Sequence, residues 1–133
     1  MIKLRTRNMT RMTEGTEVFE DFADVEMNSG GYDRIPKGIE LEENRVYFYC
    51  PIGGSEALEL NLILRRLDVE MQYLSSRLEC REVPIHLHIH SPGGSVFAGL
   101  SIVDTIKNCK TAIYTYIDGS AASAATLVSI AGK

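Results

Sequence analysis

The sequence predicts an α/β fold in which strand-type and helix-type segments alternate from residue 45 onward. Three observations predict it. A β-branched and aromatic run at 45–52 leads into a long apolar stripe with helical spacing. An alternating run at 84–90 ends on Ser91-Pro92-Gly93-Gly94, a turn that opens a helix over 95–107. A third β-rich run at 112–117 ends on Asp118-Gly119, before an alanine-rich helix over 120–131.

Residues 1–44 stand apart from the rest. Lys3, Arg5, Arg7 and Arg11 form a basic block, Glu14, Glu17, Glu20, Asp21, Asp24 and Glu26 form an acidic one, and Asn28-Ser29-Gly30-Gly31 closes the segment with turn formers. Such blocks read as a charged, partly flexible tail, which leaves 45–133 as the folded core. In that core, Val46, Tyr47, Phe48 and Tyr49 make the first strand, ended by Gly53-Gly54. Ser55 is the expected helix N-cap, with Glu56 and Glu59 in the first turn. From there Leu60, Ile63, Leu64, Leu67, Met71 and Leu74 form one amphipathic stripe, while Arg65 and Arg66 project to solvent.

The next strand places His86, His88 and His90 on one face and Ile85, Leu87 and Ile89 on the other. Three imidazoles are ligands that zinc accepts. Residues two apart on a flat strand converge poorly on one ion, however, and only Glu82 lies near enough to support them. The favoured reading is a histidine face that packs on another element or meets solvent. The helix over 95–107 has Leu100, Val103 and Ile106 at a spacing of three, and the strand over 112–117 carries Ile113, Tyr114, Thr115 and Tyr116.

Two strand-to-helix junctions carry the chemistry. A serine attacking a carbonyl creates an oxyanion, and preorganised backbone N–H groups aimed at that oxygen usually supply the largest catalytic effect. Gly93 and Gly94 lack Cβ atoms and sit at a helix N-terminus, where free N–H groups favour negative charge. Ser123 falls in the first turn of the alanine-rich helix, beside the Ala124 N–H. The layout makes Ser123 the nucleophile and the Gly94 and Ala124 N–H groups the oxyanion hole. Each motif also has a plain reading: Ser-Pro-Gly-Gly is an ordinary turn, and a serine among alanines usually bonds a backbone carbonyl. Their joint occurrence at successive junctions favours the catalytic reading.

His88-Ile89-His90-Ser91-Pro92-Gly93-Gly94 and Gly119-Ser120-Ala121-Ala122-Ser123-Ala124-Ala125 resemble the signature pair of the ClpP-type peptidases, Tyr-Ile-Asn-Ser-Pro-Gly-Gly and Gly-Gln-Ala-Ala-Ser-Met-Gly. The resemblance runs from about Arg45 to Lys133, and the spacing between the motifs also matches. The Ala-Ala-Ser-Ala-Ala form looks most like the divergent ClpP-like proteases of phage genomes. The resemblance implies a ClpP/crotonase-like fold of repeated ββα units, with only its N-terminal portion present. It also implies a serine endopeptidase acting on unfolded polypeptide in a homo-oligomeric ring. No cofactor is implied for this subunit, because ATP is used by a separate AAA+ unfoldase partner. N-terminal segments in the family line the axial entrance of the ring.

The departures are as informative. The family's histidine base and orienting aspartate follow the nucleophile, whereas this sequence ends at Lys133, ten residues after Ser123, and all three histidines precede it. Without a base a serine hydroxyl stays protonated and weakly nucleophilic. His90 stands where the family has asparagine and is the histidine closest to the site, so it is the candidate for an unorthodox base. Three alternatives follow: a crotonase-type acyl-CoA enzyme, a signal-peptide-peptidase-like enzyme using Lys107, Lys110 or Lys133 as base, and a non-catalytic, truncated or split subunit.

Composition sets the remaining bounds. The 133 residues, 44% of them hydrophobic, suffice for one core, and a formal charge of -4 argues against general nucleic-acid binding. Cys50, Cys80 and Cys109 are odd in number and form no CxxC pair, so free thiols in a reducing compartment are expected. The start, Met1-Ile2-Lys3-Leu4-Arg5-Thr6-Arg7, lacks the apolar stretch of a secretory signal. The longest run of low polarity, 120–132, is shorter than the ~20 residues that span a bilayer. A cytoplasmic protein with no membrane contact is the expectation.

Overall fold

Alternation of apolar side chains decides which way each strand faces. In the computed structural model, which describes residues 38–133, four strands form one sheet: β1 (Gly38–Glu42), β2 (Arg45–Tyr49), β3 (Ile85–Ser91) and β4 (Ile113–Ala121). They lie in the order β1-β2-β3-β4. β1 and β2 form an antiparallel hairpin, whereas β2–β3 and β3–β4 are parallel pairs. Parallel neighbours need crossover connections. α1 (Gly54–Arg77) joins β2 to β3 and α2 (Val96–Asn108) joins β3 to β4, while α3 (Ala124–Ser129) follows β4.

Val46 and Phe48 of β2, Ile85, Leu87 and Ile89 of β3, and Ile113 of β4 share one core with Leu60, Leu64, Leu67 and Met71 of α1 and Ile102 and Ile106 of α2. The period-two strands and the helical stripe thus meet on one face of the sheet, where burial of their apolar surface stabilises the fold. Ile63 packs partly on this core, and Leu74 is exposed at the end of the stripe. Two carboxylates fasten the entry to β4: Asp68 Oδ1 accepts from the Thr111 N–H at 2.7 Å, and Glu82 Oε1 accepts from the Ala112 N–H at 2.7 Å.

Four expectations are revised. β1 lies within the segment assigned to the charged tail, so the folded core includes residues 38–44; residues 1–37, with both charge blocks, lie outside the described residues. The N-cap of α1 is Gly53 rather than Ser55, whose hydroxyl donates to Glu56 Oε2 at 3.0 Å. Asp118-Gly119 does not end its strand, because β4 runs on to Ala121 through an irregular stretch: Ile89 pairs with Ile117 but Ser91 pairs with Ala121. That bulge leaves only six residues for α3, so Ser123 is its N-cap and not part of its first turn.

The histidine face is the face opposite the core. Tyr47 stacks on His88 at 4.9 Å, and Tyr116 stacks on the same imidazole at 4.7 Å. Cross-strand register explains the pairing, since Tyr47 and Tyr116 are both the direct partners of His88.

Candidate active site

The glycine turn begins at the end of β3. Ser91 is fully buried, and its hydroxyl oxygen accepts the Gly93 N–H at 3.1 Å. The Gly93 carbonyl accepts from the Ile52 N–H, and the Ser95 N–H donates to the Ile52 carbonyl, each at 2.8 Å. Gly94 is therefore the central residue of a parallel bridge to Ile52. In such a bridge the flanking groups make the bonds, so Gly94's own N–H points away from Ile52. Both glycines have φ values that side chains rarely adopt, +92° for Gly93 and +150° for Gly94. Ser95 then caps α2, its side chain accepting from the Ala98 N–H at 3.3 Å.

The second junction reaches the first. A Cβ placed on Gly93 would lie 2.5 Å from the Ala122 carbonyl oxygen, 2.8 Å from Ser123 Cβ and 3.0 Å from the Ala124 nitrogen. The glycine turn thus lies directly on the peptide that carries Ser123, and only a residue without a side chain fits there. The Ala122 N–H donates to the Ser91 carbonyl at 3.0 Å and ties the two turns together. Ser123 is exposed and has φ +52° and ψ −125°, a strained conformation for a residue with a side chain. Ala124 opens α3, so its N–H is among those a helix leaves without an intrahelical acceptor. Gly93, Gly94, Ser123 and Ala124 are thereby brought into one cluster.

His90 is not oriented with them. Its side chain lies on the face opposite Ser91, over Gly119, with Nδ1–H donating to the Asp118 carbonyl at 2.7 Å and the ring edge-on to Tyr49 at 5.5 Å. His88 Nδ1 and the Tyr49 hydroxyl both donate to Asp118 Oδ2, at 3.0 and 2.6 Å. That hydrogen bond to the carboxylate, with desolvation, pushes the Tyr49 phenol up to about 12. His86 is shifted downward by desolvation and by the nearby Arg45 and His88. Among the described residues no cluster of three or more His, Cys, Asp or Glu side chains is arranged to hold a metal ion.

Other nucleophiles and bases sit elsewhere. Burial pushes the Cys50 and Cys109 thiols up to about 11, so both stay protonated and weakly nucleophilic at neutral pH. Lys107 and Lys110 lie at the end of α2 and just before β4, and Lys133 exchanges backbone bonds with Ile113 and Thr115. All three therefore belong to the end of β4 remote from Ser123.

Three features of this cluster were not read from sequence: the strain at Ser123, the bulge before it and the Ser91 hydroxyl. The first two depend on how β3 and β4 pair. The third had a visible signal, because a serine two residues before a glycine can form a local side-chain turn.

The chain is similar to known proteins of one family. A model of the Clp protease family matches residues 66–133. The chain is 46% identical over 104 residues to an ATP-dependent Clp protease proteolytic subunit 3 from Synechococcus sp. (strain CC9605), covering 74% of this chain and 50% of the relative. A proteolytic subunit from Bdellovibrio bacteriovorus is 48% identical over 61 residues, 46% of this chain and 29% of that protein. Among solved structures, ClpP1 from Listeria monocytogenes superposes with a TM-score of 0.58 at 27% identity, covering 68% of this chain and 48% of that one. The ClpP catalytic domain from Plasmodium falciparum gives 0.55 at 32% identity, covering 65% and 44%. The chain spans about half the length of the Synechococcus relative and less of the Bdellovibrio one.

Proposed function

The chain belongs to the Clp protease family, and on that premise we propose that it is the nucleophile-bearing part of a serine endopeptidase. Ser123 attacks the scissile carbonyl, and the Gly94 and Ala124 N–H groups receive the oxyanion. The observation that supports this reading is the close approach of the two turns: a Cβ on Gly93 would lie 2.8 Å from Ser123 Cβ and 3.0 Å from the Ala124 nitrogen. Two fixed donors require no reorganisation as charge develops. The leaving proton needs an acceptor, and His90, the histidine weighed for an unorthodox base role, is turned to the other face of the sheet. The base is therefore supplied from outside residues 38–133, by further chain or by a second polypeptide.

The substrate class is unfolded polypeptide. An extended segment pairing beside the site presents its carbonyls at a fixed repeat, and main-chain bonds hold it with little regard to sequence. The working form is a homo-oligomeric ring served by a separate AAA+ unfoldase, and this subunit carries no cofactor. Among the described residues no helix is long and apolar enough to cross a membrane.

A second reading, a non-catalytic ring component, is favoured by the placement of all three histidines away from Ser123. Labelling with a fluorophosphonate probe, on the chain and on Ser123→Ala, with and without extract from the source, separates the two. Labelling that needs both Ser123 and extract fits completion by another component. Labelling of the isolated chain would mean that a base lies within the chain itself. Absence of labelling in every condition leaves the structural component.

A further inference from the structure

One residue holds both halves of the candidate site. Ser91 sits at the end of β3, fully buried, and accepts two backbone N–H bonds, one from each turn. Its hydroxyl oxygen accepts the Gly93 N–H at 3.1 Å, one residue before the Gly94 donor. Its carbonyl accepts the Ala122 N–H at 3.0 Å, one residue before Ser123. The first bond does more than satisfy a buried amide. The Ser91 hydroxyl pins the peptide that enters Gly93, through its N–H, and the Ile52 N–H pins the peptide that leaves it, through the Gly93 carbonyl, so the planes on both sides of Gly93 are held. The Gly94 N–H must then point away from Ile52, on the opposite side of the peptide that leaves Gly93.

We infer that Ser91 is a positioning residue for acyl transfer: its side-chain oxygen pins the peptide that enters Gly93 and so steadies the turn that presents the Gly94 N–H, while its carbonyl holds the Ala122 N–H at the turn that carries Ser123. It touches neither substrate nor reacting atoms. The inference rests on the reading of Ser123 as nucleophile and adds the residue that aligns nucleophile and oxyanion donor.

The test uses Ser91→Ala, which removes the acceptor, Ser91→Cys, which keeps the volume with a weak acceptor, and Ser91→Thr, which restores the hydroxyl. Amide hydrogen exchange on the full chain reads the tether directly. Gly93 should exchange about tenfold faster in Ser91→Ala, since an ordinary hydrogen bond is worth about that factor, with Ala122 unchanged and Gly93 protection recovered in Ser91→Thr. Fluorophosphonate labelling, in whichever condition labels Ser123, reads the alignment. The maximal inactivation rate should fall about 10- to 100-fold in Ser91→Ala with the half-saturating probe concentration unchanged, and Ser91→Cys should fall between. A residue needed only for folding would move Ala122 exchange and probe affinity as well. Unchanged labelling in Ser91→Ala, or unchanged Gly93 exchange, overturns the inference and leaves Ser123's role standing. If the parent chain shows Gly93 protection that depends on Ser91 but no Ser123-dependent labelling, the nucleophile reading fails, and Ser91 is reduced to a structural tether.

Discussion

Ser123 keeps a backbone conformation that glycine would adopt at lower cost. Such outliers cost about 1–3 kcal/mol each and persist only where the surroundings over-determine them, here by the Gly93 contact and the Ala122 to Ser91 bond. Ser123→Gly should therefore stabilise the chain by about 1 kcal/mol after glycine's own entropic cost, raising the melting temperature by about 4–8 °C. Ser123→Ala keeps the Cβ and should give no such gain. Calorimetry on the two variants checks this. Gly93→Ala should act in the opposite direction, losing about 2 kcal/mol or more, because its methyl would overlap the Ala122 oxygen at a positive φ. The same calorimetric comparison measures it.

Individual elements are pinned by ionisable groups whose pH dependence can be worked out. Desolvation would raise the Asp68 carboxyl, but hydrogen bonds from Thr111, the Lys110 backbone and Gln72 outweigh it and the net shift is downward. A lowered folded value means that the group binds protons less readily in the folded chain. Its contribution is present above the ordinary aspartate value of about 3.9 and is lost as pH falls through the lower folded value. Asp68→Asn should lower the denaturation midpoint at neutral pH and flatten its acid dependence, as urea titrations over a pH series will show. Across the sheet, the raised Tyr49 phenol gives the opposite sign. Its bond to Asp118 stabilises the fold below pH 10, and that contribution is lost as pH climbs through about 12. One late-titrating tyrosine should appear in the ultraviolet titration and disappear in Tyr49→Phe.

At the scale of the whole molecule, the outer side of α1 is unusually apolar. Leu58, Leu62, Val69 and Tyr73 are all well exposed, and a helix turning about 100° per residue sets them within about 60° of one another. Phe97, on the first turn of α2, is 85% exposed. A surface of this kind favours association. In sedimentation analysis the chain should run above its 14.8 kDa monomer mass, and pairing Leu62→Glu with Val69→Glu should shift it toward the monomer.

Much of this architecture was legible in the residues. The period-two run Ile85, Leu87, Ile89 and the stripe from Leu60 to Met71 can each bury only one side, so strand, helix and core face followed from spacing. Gly93, Gly94, Ser123 and Ala124 were legible from their residue types at the junctions. β1 was hidden because only Ile39 and Leu41 mark its inward side, among glutamates that resemble a tail. The bulge at 118–120 was hidden because Asp-Gly ordinarily signals a turn, and its strand continuation depends on Tyr49, His88 and His90, which all bond Asp118. The histidine face was legible as a face, but its stacking between tyrosines depends on register.

The bridge between Ile52 and Gly94 has a mechanical consequence. Ile52 stands two residues before α1, the helix whose outer side is apolar, and both of its backbone groups are bonded into the glycine turn. Any load that tilts the first turn of α1 is transmitted through one residue of backbone to the peptide that presents the Gly94 N–H. Packing against a neighbour and alignment of the oxyanion donor are therefore strung on the same short length of chain, a lever whose fulcrum is Ile52.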